Sequence, residues 1–257
     1  MDRRSGKPVA IVTAAGRGIG AECARAMAHR GYAVSLLSRS DAARELAEEL
    51  GGLGMSGSIT EPVDLERLVT QTVETYGRLD ALILNAGHAP RSTNIAGTAQ
   101  SRASSYSADD PFEPIEIEDA EWLAGFDMMF LSAVRLLRLS IPVMRRRSGG
   151  SVVLISTFSA FEPRLTYPVS SVTRSALSAL VKLYSDRYGR EGVRINAILP
   201  GFLENWDQPD EVLRSIPLGR RGALAEIGAT AAFLTSPAAG YITGQSILVD
   251  GGVNRSI

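Results

Sequence analysis

The sequence predicts an α/β domain built on a doubly wound parallel sheet, and two observations carry that reading. Short apolar runs alternate with helix-like segments along nearly the whole chain, the order imposed by a parallel sheet with right-handed crossovers. The first such pair, Pro8 to Gly20 (PVAIVTAAGRGIG), joins a strand to a helix through a glycine-rich turn. Val9-Ala10-Ile11-Val12 is the continuous apolar run of a strand covered on both faces. Gly16, Gly18 and Gly20 follow, and Ala21–Ala28 has helical composition. A dinucleotide needs this geometry: a tight turn, no side chain between backbone and pyrophosphate, and a helix N-terminus aimed at the phosphates.

The remaining elements follow in order. Ala33–Leu37 (AVSLL) reads as a second strand and Asp41–Leu50 as a short helix. Asp64–Tyr76 is a helix and Leu79–Asn85 (LDALILN) a strand. Glu121–Met144 is a long apolar helix, followed by the strand Ser151–Ser156 (SVVLIS). Ser170–Tyr188 is a helix, Val193–Leu199 (VRINAIL) a strand, Ala223–Leu234 a helix and Ser246–Val249 a last strand. No repeat at a solenoid period is present. One segment, about 88–119, breaks the rhythm: it is rich in Ser, Ala, Asp and Pro and has no clear periodicity. It leaves the carboxyl edge of the sheet, where ligands bind in such folds, so a substrate-side loop and a disordered insertion both stand as readings.

Length and composition bound the function. A chain of 257 residues suits a single domain, 1–257, carrying that loop insertion. The net charge of −1, with 21% charged residues, supplies no field for nucleic acid or an anionic membrane. Cys23 is the only cysteine, which excludes an internal disulfide framework and fits a reducing compartment. No apolar stretch has the length of a membrane span or a secretory leader. The expectation is a soluble cytoplasmic protein acting on a small molecule. His29 and His88 are isolated, so no metal site is expected.

Four motifs in order resemble those of the short-chain dehydrogenase/reductase family. Thr13–Gly20 (TAAGRGIG) resembles its T-G-x-x-x-G-I-G turn, and Leu84-Asn85-Ala86-Gly87 its N-N-A-G motif. Val193–Gly201 (VRINAILPG) resembles the run near the nicotinamide, and Tyr241–Gly252 the C-terminal signature. The resemblance implies a Rossmann-type fold and a nicotinamide cofactor. It places cofactor binding on Thr13, Gly16, Arg17, Gly18, Ile19, Gly20, Ser38, Arg39, Ile59, Asn85, Ala86, Gly87, Arg174, Pro200 and Gly201. In this fold a carboxylate ending the second strand binds the 2′-hydroxyl of NAD, whereas a basic residue accommodates the 2′-phosphate of NADP. Here that position is Ser38, with Arg39 next to it and Arg17 inside the glycine turn. Two arginines suit bidentate phosphate recognition, so NADP(H) is expected over NAD(H). Ala14 replaces the first glycine of the motif, and Ser58 stands where the family often has an adenine-contacting aspartate.

The catalytic helix departs from the family. Counting back from Asn196 places the family's tyrosine at Ser170, its lysine at Arg174, its serine at Thr157 and its asparagine at Met129. A serine hydroxyl is far too weak an acid to replace a phenol, and arginine cannot shuttle a proton. A second register puts Tyr167 seven residues before Arg174, two turns away on one helical face. That spacing resembles the Y-x6-K pattern of enoyl-acyl-carrier-protein reductases. The catalytic candidates are therefore Tyr167, Arg174, Ser156, Thr157 and Ser170, with Ser159 a further nearby hydroxyl; Ser170 is alternatively a helix cap. Three functions follow: an NADP(H)-dependent carbonyl or enoyl reductase, a nucleotide-binding sensor, or non-redox chemistry of the halohydrin dehalogenase kind, whose members use an arginine but lack the glycine-rich turn. Segment Phe202–Trp206 is expected to cover the pocket. The apolar surface of Glu121–Met144 (Trp122, Leu123, Phe126, Met128, Met129, Phe130, Leu131, Val134, Leu136, Leu137) and of Ser170–Tyr188 (Leu177, Leu180, Val181, Tyr184) predicts a homo-oligomer, dimer or tetramer.

Overall fold

The computed structural model describes residues 6–86, 117–147, 149–165, 167–206 and 210–256. Seven strands form one parallel sheet: β1 (Val9–Thr13), β2 (Ala33–Ser38), β3 (Leu53–Ser56), β4 (Ala81–Asn85), β5 (Gly150–Ile155), β6 (Val193–Pro200) and β7 (Ser246–Val249). Their spatial order is β3-β2-β1-β4-β5-β6-β7, so the direction of winding reverses between β1 and β4. The crevice at such a reversal, outside the strand carboxyl ends, is where ligands bind in open α/β sheets.

Helices cover both faces. On one side lie α1 (Gly18–His29), α2 (Ala42–Glu49) and α8 (Leu224–Thr235), and the short α7 (Asp210–Ser215) lies near the β6 end. On the other lie α3 (Pro62–Tyr76), α4 (Asp119–Phe126), α5 (Ser132–Arg145) and α6 (Pro168–Tyr188). Successive residues of each strand serve opposite cores. Ala10 and Val12 pack with α1, α2 and α8, while Ile11 packs with α3, α5 and α6. This two-sided burial is why the strands read as unbroken apolar runs instead of alternating ones. Gly228 of α8 lets that helix close on α1, since a Cβ there would stand 2.7 Å from the Glu22 carbonyl oxygen.

Several sequence expectations need correction. β3 is an addition to the expected strands: its four residues lie at the sheet edge and only Met55 is fully buried, so no apolar run marks it. The expected single helix over 121–144 is two α-helices joined by a π-turn at Asp127–Leu131. Pro142 sits inside α5. The expected loop over 88–119 falls mostly outside the described residues, but Asp119 already opens α4. α6 starts at Pro168, two residues before the expected start, because proline suits the first helical position. Ser170 is therefore inside the first turn and is not the cap; Tyr167 is.

The apolar residues expected on an outer face mostly serve the core. Met129, Leu136, Leu137, Leu177, Leu180 and Val181 are buried. The large apolar side chains that α4 and α6 do expose are Leu123, Phe126, Val172 and Leu183.

Candidate active site

The carboxyl ends of β1 and β4 open the crevice. Their ladder ends at Val12 and Ile83, and the Thr13 side chain takes over from it. Thr13 Oγ1 donates to the Asn85 carbonyl (2.8 Å) and accepts from the Asn85 backbone N–H (3.0 Å). A buried backbone pair that diverging strands would otherwise orphan is thereby satisfied. The Asn85 side-chain amide donates to the Ala14 carbonyl at 3.4 Å. Thr13 and Asn85 thus fix the rim on which the glycine turn is built.

The turn itself admits almost no side chain. A Cβ on Gly20 would stand 2.2 Å from the Ala14 carbonyl oxygen, and one on Gly16 2.9 Å from Ser38 Oγ. Gly18 opens α1 with φ +58°, a conformation that favours glycine. Arg17 is the N-cap and is exposed, and Ile19 is half-buried in the first turn. Ala14 occupies the left-handed region as well (φ 48°), the only non-glycine residue with positive φ among those described.

At the end of β2, the Ser38 hydroxyl donates to the Ser40 carbonyl (2.7 Å) and accepts from the Ala43 N–H (3.1 Å), tying the start of α2. Arg39 beside it is exposed. A carboxylate does lie near this corner. Asp41 caps α2, accepts from the Ser56 hydroxyl (2.7 Å) and pairs with Arg44 (3.4 Å). The serine hydrogen bond and then the arginine charge hold its carboxyl below the usual range. Ser58 bonds to Thr60 through its hydroxyl (2.8 Å) and to Asp64 through its N–H (2.8 Å). Ile59, Thr13, Asn85, Ala86, Met129 and Ile155 converge on one small cavity at the base of the crevice. Gly87 lies outside the described residues.

The β5 and α6 side carries the catalytic candidates. Arg174 is buried, and its Nη1 donates to the Ile155 carbonyl at the end of β5 (2.8 Å). Burial pushes its guanidinium down to about 10, which still leaves a full positive charge at neutral pH. Ser156 follows Ile155 and is buried, yet its hydroxyl meets no hydrogen-bond partner among the described residues. An unmet buried hydroxyl costs about 1–3 kcal/mol, so that of Ser156 is open to a partner beyond the described residues. Thr157 is half-buried next to it, Ser159 is buried, and Ser170 is half-buried in α6. Met129, in the π-turn, is buried against α6, where Thr173 Oγ1 lies 3.6 Å from its sulfur. Tyr167 leads into Pro168, and its ring packs on that of Trp206 with centroids 5.3 Å apart.

The segment after β6 reaches back over this site. Gly201 is required because a Cβ there would lie 2.7 Å from the Asp250 Cα, beside the Pro200–Val249 pairing. Phe202 packs on Phe158 (5.2 Å), and Asn205 Nδ2 comes within 3.4 Å of where a Gly18 Cβ would stand. Asn205 and Trp206 are legible in the sequence only as members of a covering segment; their partners, Gly18 and Tyr167, are distant along the chain. Arg194 and Asn196, in the motif expected near the nicotinamide, do structural work instead. Arg194 donates to the carbonyls of Ile242 (3.1 Å) and Ser236 (3.2 Å), and Asn196 bonds Ile242 and Gln245 (2.9 and 3.1 Å).

A family model described as enoyl-(acyl carrier protein) reductase matches residues 13–254. The chain belongs to the short-chain dehydrogenase/reductase family. Relatives of this reductase family include the L-fucose dehydrogenase of Oryctolagus cuniculus, 32% identical over 97% of this chain and 86% of that protein. The oxidoreductase UcpA of Salmonella typhimurium is 29% identical over 98% of this chain and 96% of its own length. Among solved structures, a 7α-hydroxysteroid dehydrogenase complexed with NADH and 7-oxo glycochenodeoxycholic acid superposes with TM-score 0.82, at 26% identity over 98% of this chain and 96% of that one. L-sorbose reductase from Gluconobacter frateurii, complexed with NADPH and L-sorbose, gives TM-score 0.82 at 26% identity over the full length of both chains. These short-chain dehydrogenase/reductase relatives are oxidoreductases. Among the described residues no group of His, Cys, Asp or Glu could hold a metal ion, and no helix is long and apolar enough to cross a membrane.

Proposed function

We propose that the protein is an NADP(H)-linked reductase of a carbonyl or enoyl group on a small, partly apolar molecule. The observation that carries this reading is the cradle at Gly16, Gly18 and Gly20, where almost no side chain fits and the N-terminus of α1 faces outward. The family relationship and the nicotinamide cofactors in two solved relatives support it. One of those relatives holds NADH and the other NADPH, so the choice rests on this chain's own residues. Arg17 in the glycine turn and Arg39 next to Ser38 are both exposed, and the Ser38 hydroxyl is engaged at the start of α2; this favours a 2′-phosphate over a bare ribose.

When bound, the nicotinamide supplies the hydride. Arg174, charged and fixed on the Ile155 carbonyl, would hold the ribose, and its charge would favour ionisation of a phenol brought to it. Tyr167 donates a proton to the reduced substrate. The unmet hydroxyl of Ser156, with Thr157 beside it, polarises the substrate oxygen. Phe202 and Trp206 give the mouth its apolar wall. A second reading, nucleotide binding without turnover, is favoured by Ser170 and Met129 standing at the family's tyrosine and asparagine positions. The preserved glycine cradle weighs against the dehalogenase reading. The protein is further inferred to be a cytoplasmic homo-oligomer.

Titration with NADPH and NADH, followed by turnover on a panel of ketones, aldehydes and enones, tests this. Tight NADPH binding with turnover is expected; tight binding with no turnover on any compound selects the second reading. Arg39→Asp is expected to weaken NADPH about ten- to a hundredfold and NADH far less, the worth of one charged phosphate contact. Equal losses for both cofactors would place the 2′-phosphate elsewhere.

A further inference from the structure

Residues Leu203 to Trp206 form a turn closed by the Trp206 N–H donating to the Leu203 carbonyl at 3.1 Å. The turn is fastened from behind. Leu203 pairs with Gly222, the Glu204 N–H donates to the Gly222 carbonyl (2.9 Å), and Glu204 Oε1 accepts from the Leu224 N–H at the start of α8 (2.8 Å). Its two leading residues face different parts of the site. Asn205 lies against the glycine turn at Gly18, and the Trp206 ring packs on Tyr167 at 5.3 Å with a 58° tilt. Tyr167 is the cap of α6, with its own N–H on the Arg164 carbonyl and its carbonyl accepting from Ser171, so its backbone is held while its ring leans on Trp206.

We propose that the Asn205–Trp206 pair is a positioning element that makes the placement of the Tyr167 phenol depend on occupancy of the phosphate cradle at Gly18. The inference rests on the reading of the glycine turn as a dinucleotide site. Adjacent residues of a closed turn cannot move independently. A pyrophosphate entering at Gly18 meets Asn205, whose amide can donate to it, and any shift of Asn205 is passed to Trp206 and from there to the Tyr167 ring. Trp206 acts through that ring contact, so its role is to place the phenol.

The chain has two tryptophans, and Trp122→Phe leaves Trp206 as the sole source of tryptophan emission. The probe is 2′-phospho-ADP-ribose, which carries the pyrophosphate but no nicotinamide and does not absorb tryptophan emission. Binding is followed by calorimetry, Trp206 by its emission, and Tyr167 by ultraviolet titration of its phenol against a Tyr167→Phe background. Expected are a shift of Trp206 emission and a displaced Tyr167 titration on adding probe. Asn205→Gly should lose both responses while calorimetry still registers the probe. Trp206→Ala should lose the displacement of the Tyr167 titration, and Trp206→Phe, which keeps a ring in place, should retain it. Calorimetric binding with Trp206 and Tyr167 both silent overturns the coupling and leaves the dinucleotide reading standing. Responses that persist in Asn205→Gly overturn it too. Absence of binding heat overturns both the coupling and the reading on which it rests.

Discussion

Ala14 stands at a backbone angle (φ 48°) that costs an L-residue about 1 kcal/mol or more. Its carbonyl accepts from the Asn85 side-chain amide and faces Gly20, where a Cβ would stand 2.2 Å away. Ala14→Gly is expected to stabilise the fold by up to about 1 kcal/mol once the greater freedom of unfolded glycine is counted, and so to raise the thermal midpoint. Ala14→Val should lower it, because a branched side chain is worse in that region. A calorimetric scan showing no change for either variant would mean that the turn relaxes. At the catalytic helix, Tyr167→Phe should abolish turnover and leave NADPH affinity nearly unchanged, since it removes only a hydroxyl used in the transition state. Ser170→Ala should leave turnover intact, and because Ser170 is inside the first turn of α6, it should not show the loss of a cap. Steady-state kinetics with the two affinities distinguishes the registers; an inactive Ser170→Ala beside an active Tyr167→Phe would reverse the assignment. Arg174→Lys should retain NADPH binding at neutral pH but lose it earlier on the alkaline side than the parent. Burial that brings an arginine down to about 10 acts on a lysine that already begins lower.

Among the elements, α8 carries the clearest pH dependence. Glu226 accepts from the Ala223 N–H at the start of the helix (2.7 Å) and pairs with Arg220 (2.8 Å). The Arg220 hydrogen bond, then that of Ala223, draws its carboxyl down to about 2. A carboxyl lowered on folding contributes stability that is present above its unfolded value of 4.5 and lost as pH falls toward 2. The midpoint difference between the parent and Glu226→Gln should therefore shrink over that interval, as thermal melts across the acid range would reveal; a constant difference would mean that the charge plays no part. The elements also show what a sequence discloses. The inner strands β1, β2, β4 and β5 are legible because burial on both faces leaves largely apolar runs such as Ala81–Leu84 in β4. β3 is not, since an edge strand of four residues whose buried methionine stands between Gly54 and Ser56 has no such run. The π-turn at Asp127–Leu131 is hidden because one extra residue in a helix changes register and leaves composition alone. The glycine cradle is readable for the opposite reason: a site made by backbone leaves its mark as missing side chains. The Tyr167–Trp206 contact has no local mark, because it joins residues brought together only when β6 and α6 have packed.

For the whole molecule, the question is what covers the outward faces of α4 and α6. Leu123 and Phe126 on α4, and Val172 and Leu183 on α6, stay exposed, at 69% and 38% for the first pair and 57% and 66% for the second. Val172, Ala176, Ala179 and Leu183 recur at intervals of four, three and four residues, so they lie on one stripe of α6. Small residues between two apolar ones let a second helix approach closely, which fits α6 packing against α6 of another copy across a twofold axis. Burying each large side chain is worth about 1.5–3 kcal/mol, and symmetry doubles every contact. Light scattering at micromolar concentration is therefore expected to give a dimer or tetramer. Val172→Glu with Leu183→Glu should dissociate it. The substitutions stand in solvent in the isolated chain, so they leave the fold intact, but across the axis each desolvated carboxylate meets only its like. Val172 and Leu183 are exposed on α6 whereas Arg174 is buried, so NADPH affinity of the dissociated variant should stay close to that of the parent. A parent chain that is monomeric at that concentration would remove the prediction. A double variant of unchanged mass would move the interface to another face.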